Sequence, residues 1–436
     1  PRLAYAFKDR SFIGNLEQCN GCGGCRKDTP IMCPTFIATA DEIMSTRGRA
    51  NIIRRSLELK ANGHDPLKSA ELDAALSNCL SCKGCTPECP SNVNLALLKA
   101  EMLYARWKRD GLPMRERFFS NVDLLGRIGS AAPWLANAIV DFRPLRELME
   151  KTLGISAKRS LPHYARERFD RWFAKVGTSR RDVRTPQRGV PTRGKVILWD
   201  DTFVRYHEPN VGIAAVKVLQ ALGFEVELVN NRKCCGRPAF SQGNLDAAAE
   251  VGQHNIDLLS AQRLNHSTSQ QSAPPIIFLE PSCWSMFVDD YRELKVKNAE
   301  KIAERCFLFE RFVDDLLENE PDALQFKHRD ASVAIHPHCH AKSLINPEFM
   351  ARLVERLPGR RATLLDTGCC GMAGAFGAVA EKYELSKQVA SDLLRKIDNQ
   401  QPDIVIASGT SCRHQIVDLS ERWPKHMAEL LADAIE

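Results

Sequence analysis

The sequence predicts an α+β multidomain chain: a helical amino-terminal unit built on cysteine clusters, then a duplicated α/β module marked by Cys-Cys-Gly. Three observations predict it. Eight of the 16 cysteines fall in two cassettes, Cys19 to Cys33 and Cys79 to Cys89. Two Cys-Cys-Gly triplets follow, at 234–236 and 369–371. Around each triplet, strand-like apolar runs alternate with helix-like stretches, the pattern of an α/β unit with a mainly parallel sheet. At 436 residues the length suits three domains of about 150 residues each. The expected bounds are 1–110 for the helical cassette unit, 111–193 for a helical and basic linker, 194–325 for the first Cys-Cys-Gly module and 326–436 for the second.

The first cassette reads "CNGCGGCRKDTPIMCP", with Cys19, Cys22, Cys25 and then Cys33-Pro34. The second reads "CLSCKGCTPECP", with Cys79, Cys82, Cys85 and then Cys89-Pro90. The second has the C-x2-C-x2-C-x3-C-P run of bacterial ferredoxins, so the unit is read as a ferredoxin-like domain with two [4Fe-4S] clusters. Three thiolates two residues apart wrap one side of an iron–sulfur cube, and the fourth arrives from elsewhere. In two-cluster ferredoxins it crosses over. The expected sets are therefore Cys19, Cys22, Cys25 and Cys89 on one cluster, and Cys79, Cys82, Cys85 and Cys33 on the other. Zinc is the alternative, but zinc motifs come as pairs rather than triplets closed by Cys-Pro.

Proline after the fourth cysteine suits a helix start. "PSNVNLALLKAEMLYARW" reads as a helix from Pro90, and "LKSAELDAALSNCL" as one capped by Asp65 with Pro66 at its first position. Between the cassettes, Arg47 and Arg49 in "STRGRANIIRR" are expected to be solvated, with a partner-facing role as the alternative.

Hydrophobic content of 44% and charged content of 26% are those of a globular chain. No run approaches the ~20 apolar residues that span a bilayer. The start, "PRLAYAFKDR", has no apolar signal core and no initiator methionine, so a piece of a longer chain or a processed product is expected. Cysteines at two-residue gaps without an export signal point to metal ligation in a reducing cytoplasm. The net charge of +6 is concentrated: residues 157–195 hold twelve Lys or Arg against Glu167, Asp170 and Asp182, a local +9. That stretch reads as a solvated linker, or as a peripheral contact with an acidic partner or an anionic membrane at the inner face. Nucleic acid is not expected, because no RNP, helix-turn-helix or zinc-finger pattern accompanies the charge.

In the carboxyl-terminal half, "GKVILWDDTF", "FEVELV" and "PPIIFLEPSC" read as strands with helices between them. The unit recurs: "VILWDDTF" aligns with "VAIHPHCH", "NNRKCCGRPAF" with "LDTGCCGMAGAF", and "IIFLEPSC" with "IVIASGTSC". Each cysteine pair follows a strand and precedes a helix, where loops converge at the carboxyl ends of strands. The second copy thereby collects Cys339, Cys369, Cys370 and Cys412, four soft ligands suited to a further iron–sulfur cluster, an iron or a zinc. The first keeps Cys234, Cys235 and Cys283 but has Thr202 where the second has Cys339. A vicinal disulfide switch and inert buried thiols are the other readings of the pairs. In "HPHCH", on an extended segment, His336, His338 and His340 share the face opposite Cys339. His340 is the candidate ligand among them, with hydrogen bonding or proton relay as the alternative. Cys306, in "ERCFLFERFVDDLL", reads as a helical core residue. There is no flavin or nicotinamide fingerprint, P-loop or nucleophile elbow.

"MCPTF", "STRGRANIIR", "DDTF", "CCGRPAF", "EPSCW" and "GCCGMAG" together resemble the iron–sulfur portion of FAD-linked D-2-hydroxyacid dehydrogenases of the D-lactate, D-2-hydroxyglutarate and glycolate oxidase types. Heterodisulfide reductase subunits and the anaerobic glycerol-3-phosphate dehydrogenase iron–sulfur subunit share the modules. The resemblance implies a substrate oxidised at FAD on a partner domain or subunit, and electrons passed through two [4Fe-4S] clusters to an acceptor such as a quinone or cytochrome. In several relatives the flavin domain precedes the cassettes on the same chain. Thr202, and the lack of a closing C-x-x-C after Cys283 or Cys412, depart from the heterodisulfide reductase pattern. A thiol–disulfide oxidoreductase and a zinc-stabilised scaffold stand as alternatives.

Overall fold

The computed structural model describes residues 1–6, 11–27, 32–61, 65, 67, 69–178, 193–265 and 273–435. Pro66, expected at the first position of a helix, and residues 179–192 of the basic stretch lie outside these.

The amino-terminal part is helical around the cassettes. Cys33 leads straight into the helix Pro34–Thr39, with proline at its first position as expected. The other two expected starts move. The helix before the second cassette is Ala70–Ser77, capped by Ser69, whose hydroxyl accepts from Leu72 N–H; Asp65 instead accepts from Leu67 N–H in a turn. After Cys89 the helix begins at Leu95, not Pro90, because Asn94 supplies the cap. Asn94 is held by a reciprocal pair with Asn15: its N–H donates to Asn15 Oδ1 at 2.9 Å, and Asn15 Nδ2 donates to its carbonyl at 3.0 Å. One amide side chain thus ties the flank of the first cassette to the flank of the second.

The first module is a four-stranded parallel sheet in the order β2-β1-β3-β4, with β1 Gly194–Trp199, β2 Phe224–Leu228, β3 Ile276–Phe278 and β4 Cys306–Leu308. The second has three parallel strands in the order β6-β5-β7, with β5 Ala331–His336, β6 Arg360–Leu364 and β7 Ile404–Ala407. Cys306 is buried as expected but opens a strand rather than sitting in a helix: it pairs with Ile276, and the helix starts only at Phe309. Its apolar run "CFLF" is long enough for an edge strand and too short for a buried helix. The strands end earlier than their sequence runs. Thr202, Cys283, Cys339 and Cys412 lie instead on the first turns of the helices that follow. One apolar core runs through all parts, from Leu3 and Leu98 through Trp199 and Phe278 to Leu431.

The modules are pinned to each other by polar groups buried at their seam. Arg413 Nη2 donates to Glu208 Oε2 at 2.6 Å, and His426 Nε2 to the Leu279 carbonyl at 2.9 Å. Burial holds His426 down to about 3. Burial pulls Glu208 upward, yet Arg413 outweighs it and sets the carboxyl at about 2. Both shifts act in one direction. The unfolded chain takes up a proton on the histidine near pH 6.5 and on the glutamate near 4.5, whereas the folded chain resists each until much lower pH. Stability is expected to be whole above pH 6.5, to fall toward pH 3 through His426, and to fall further between about 4.5 and 2 through Glu208. Melting temperature against pH checks this, and His426→Gln should flatten the upper part of the slope.

Four short helices over 114–153 leave apolar side chains in solvent. Trp134 and Met114 are each 75% exposed, and Ile128 and Phe142 also project outward. No described helix is long and apolar enough to cross a membrane.

Candidate metal centres

Each cassette must curl tightly, and the backbone shows how. The residues flanking the middle cysteine are left-handed in both. Gly21 and Gly23 have φ of 75° and 73°, and Ser81 and Lys83 have φ of 52° and 61°. Glycine takes this conformation freely; serine and lysine are held in it at a cost. Lys83 is held by a buried ion cluster: its Nζ lies 2.7 Å from Asp289 Oδ2 and 2.6 Å from Asp290 Oδ2, and Arg237 donates to the same Asp290 oxygen. The second cassette is thereby locked to the first module.

One cavity is lined by Cys33, Cys79, Cys82 and Cys85 together, with Arg49 and Lys83 on its walls; its space between atoms, part of it open to solvent, is about 340 Å³. These are the four thiols of the expected second set. Burial pushes the Cys85 thiol up to about 12, with Cys79, Cys33 and Cys89 adding to it. Four sulfurs around one cation-walled cavity suit an iron–sulfur cluster. The first cassette lies nearer the surface, with Cys22 exposed and Cys25 buried. Cys25 is raised by burial, and Arg47 N–H donates to its sulfur at 3.3 Å. A side chain built on Gly24 would meet both Cys22 Sγ and Pro90 Cδ at 3.6 Å, so the Cys89-Pro90 step packs on the first cassette.

Arg49 is not solvated. It is 1% exposed and donates to Cys33 Sγ at 3.0 Å, to Thr35 Oγ1 at 2.8 Å and to the Ala75 carbonyl at 2.8 Å. Lys99 Nζ adds a second cation on the Cys79 carbonyl at 2.6 Å. Arg47, by contrast, is partly exposed and pairs with Glu42. A guanidinium held against a thiolate set favours the reduced, more negative state. Arg49→Gln is therefore expected to lower one reduction potential by roughly 100 mV, the size of a Coulomb interaction of about 2–3 kcal/mol at an effective dielectric of ~20. Arg49→Lys should recover most of it. A redox titration followed by electron paramagnetic resonance checks both.

In the second module Cys339, Cys369, Cys370 and Cys412 converge. Cys369, Cys370 and Cys412 share one buried cluster with Cys339 packed against it, and the four thiols act on one another's ionisation. The Cys369 thiol, supported by nearby His338 and Lys342, brings Cys339 down to about 6, and Cys370 is likewise lowered by Cys369 and Cys412. Burial and the neighbouring thiols thus shift these four sulfurs strongly against one another, as expected for soft ligands crowded at one centre. This centre adjoins the second cassette: Cys82 and Cys339 pack against the same buried cluster as Cys369, Cys370 and Cys412, and Cys339 has the largest charge effect on Cys82.

The histidine next to these sulfurs is His336, which shares a pocket with Cys370 and Cys412. His340 is directed elsewhere: its Nδ1 lies 3.3 Å from Ser285 Oγ and its Nε2 3.1 Å from the Ser81 carbonyl. A carbonyl only accepts, so that Nε2 carries a proton and offers no lone pair. The chain leaves the strand at His336, and His338 caps the next helix by accepting from His340 N–H at 3.1 Å, so the three rings do not share a face. In the first module Cys235 and Cys283 stand 3.0 Å apart beside Cys234, and Thr202 donates to Asp123 Oδ1 at 3.1 Å.

Comparison with known proteins agrees with this layout. A 4Fe-4S dicluster domain matches residues 15–93, and a cysteine-rich domain matches twice, at 202–287 and 333–417. The chain is 27% identical to a component of the anaerobic glycerol-3-phosphate dehydrogenase of Escherichia coli K12, over 74% of this chain and 77% of that protein. It is 24% identical to the glycolate oxidase iron-sulfur subunit of the same organism, over 97% of this chain and 94% of that one. It is 25% identical to D-2-hydroxyglutarate dehydrogenase of Pseudomonas putida over 95% of this chain, but spans only 42% of that protein. With a dicluster domain followed by two cysteine-rich domains, the chain belongs with the iron–sulfur parts of FAD-linked hydroxyacid dehydrogenases.

Proposed function

We propose that the chain is the iron–sulfur electron-transfer component of a flavin-linked D-2-hydroxyacid dehydrogenase, with FAD on a partner domain or subunit. Cys19, Cys22, Cys25 and Cys89 would hold one [4Fe-4S] cluster, and Cys79, Cys82, Cys85 and Cys33 the other. Cys339, Cys369, Cys370 and Cys412 would hold a third metal centre. Bound there, these groups supply one-electron carriage. The protein's own part is to gather thiolates, wall the second set with Arg49 and Lys99, and exclude water.

The observation that carries the reading is the cavity lined by Cys33, Cys79, Cys82 and Cys85, whose Cys82 adjoins Cys339 of the second module. A cleft of about 740 Å³, open to solvent, lies between Ile37 after Cys33 and Cys369 with Val389 and Leu393. It supports delivery to a small acceptor such as a quinone at that end. The exposed Trp134 and Phe142 support a peripheral contact with a membrane surface. Trp134→Asp is then expected to abolish co-flotation with anionic vesicles and to leave metal content unchanged.

Anaerobically prepared protein should contain about eight iron and eight sulfide from the cassettes, and a D-2-hydroxyacid with the flavin partner should reduce them. Zinc in their place would end the reading. The low Cys339 thiol favours one second reading, thiol–disulfide exchange at the Cys-Cys-Gly pair. It predicts disulfide reduction that is lost in Cys369→Ser while the cassette irons stay.

A further inference from the structure

We propose that His336 is a metal ligand, through Nε2, at the centre it shares with Cys370 and Cys412. This rests on the reading that the second module holds a metal. His336 closes β5, which is paired on both sides by β6 and β7, so its position is fixed by backbone. The residue is 0% exposed. Its Nδ1 lies 2.7 Å from Thr367 Oγ1. That hydroxyl has the Leu365 carbonyl 3.5 Å away as an acceptor for its own proton, which leaves its oxygen free to accept from Nδ1–H. Nε2 is then the unprotonated nitrogen, with its lone pair free.

Nε2 has no hydrogen-bond partner, an unfavourable state for a buried polar atom. What surrounds it is sulfur: the His336 nitrogen and the sulfurs of Cys370 and Cys412 all lie within 4.8 Å of one another. Donors on one tetrahedral metal with ordinary Zn–N and Zn–S lengths stand roughly 3.6–3.8 Å apart. A small inward movement of three buried side chains around an ion therefore closes the site. The sibling module differs at two matching places: Trp199 stands where His336 does, and Thr202 where Cys339 does. An indole cannot ligate, so the module short of a thiol also lacks the imidazole. On a redox-active ion, a neutral imidazole standing in for one of the four thiolates removes negative charge from the centre. It should raise the reduction potential, as histidine does in Rieske centres, and make this module the electron sink.

The test uses the native protein, purified anaerobically and carrying ¹⁵N-histidine. Electron–nuclear double resonance over a series of poised potentials should show the strong nitrogen coupling of a directly bound imidazole. That coupling should vanish in His336→Gln and persist in His340→Gln, with the cassette signals intact. If the native ion is zinc, Co(II) replaces it and the same coupling is read. His336→Cys, which keeps a donor, should retain the metal, lose the nitrogen coupling and lower the potential, and it carries the test should the glutamine variant fail to fold. Metal in excess of the cassette irons with no such coupling, or a coupling that survives in His336→Gln and His336→Cys, overturns the inference alone. No metal in excess of the cassette irons overturns both it and the metal reading of the second module.

Discussion

Cys33→Ser is expected to remove about four irons, and to remove them from the set at Cys79, Cys82 and Cys85 rather than from the cassette in which Cys33 lies. Cys89→Ser should do the reverse. The reason is spatial. Cys33 lines the cavity of the second cassette, while the step after Cys89 packs against Gly24 and Cys22 of the first. Iron counting shows that one cluster is gone, and Arg49 identifies which. Arg49 Nη1 touches Cys33 Sγ, so its charge acts on the second set. In the Cys89→Ser background the surviving potential should still drop on adding Arg49→Gln. In the Cys33→Ser background it should barely move. Uncrossed ligation predicts a drop in the Cys33→Ser background as well, because the surviving set would then hold Cys79 and Cys85, which Arg49 also faces.

Asp290→Ala is expected to cost about 3–5 kcal/mol of stability, because it leaves Arg237 buried without its anion and Lys83 with Asp289 alone. Asp290 is 0% exposed and Lys83 3% exposed, so water cannot replace the lost carboxylate. Removing Lys83 instead, as Lys83→Met, should cost less. The Arg237–Asp290 and Arg292–Asp289 pairs survive, and a methionine stem fills the space. Urea unfolding of the two variants compares them. Asp290→Ala should also release the second cluster faster under chelator. The ion cluster is what holds Lys83 left-handed, and Lys83 lies between Cys82 and Cys85.

Much of this was legible in the sequence where chemistry is local. The cassette spacing singled out eight candidate thiols, four of which the fold gathers at one cavity, and the repeat named the two modules and most of their strands, because apolar runs and two-residue gaps are written contiguously. What was not legible is what the fold brings together from far apart. Arg49 looked like one cation in a basic helix, and nothing in "STRGRAN" says that it turns inward onto Cys33. Ser81 and Lys83 gave no sign of left-handed backbone, since the aspartates that hold Lys83 lie over two hundred residues later. "HPHCH" drew attention to His340, beside Cys339. Ligation depends on where the strand ends, and β5 ends at His336, which aims that ring at Cys370 and Cys412. The same early strand ends moved Cys283, Cys339 and Cys412 onto helix first turns. Periodicity places such boundaries poorly, because a cap and a strand end can share one apolar run.

The most direct measurement is an anomalous difference map at the iron edge from crystals grown without oxygen. Two four-iron densities are predicted, one enclosed by Cys19, Cys22, Cys25 and Cys89 and one by Cys33, Cys79, Cys82 and Cys85. Zinc-edge density at either place, or no metal among these eight sulfurs, would contradict the account.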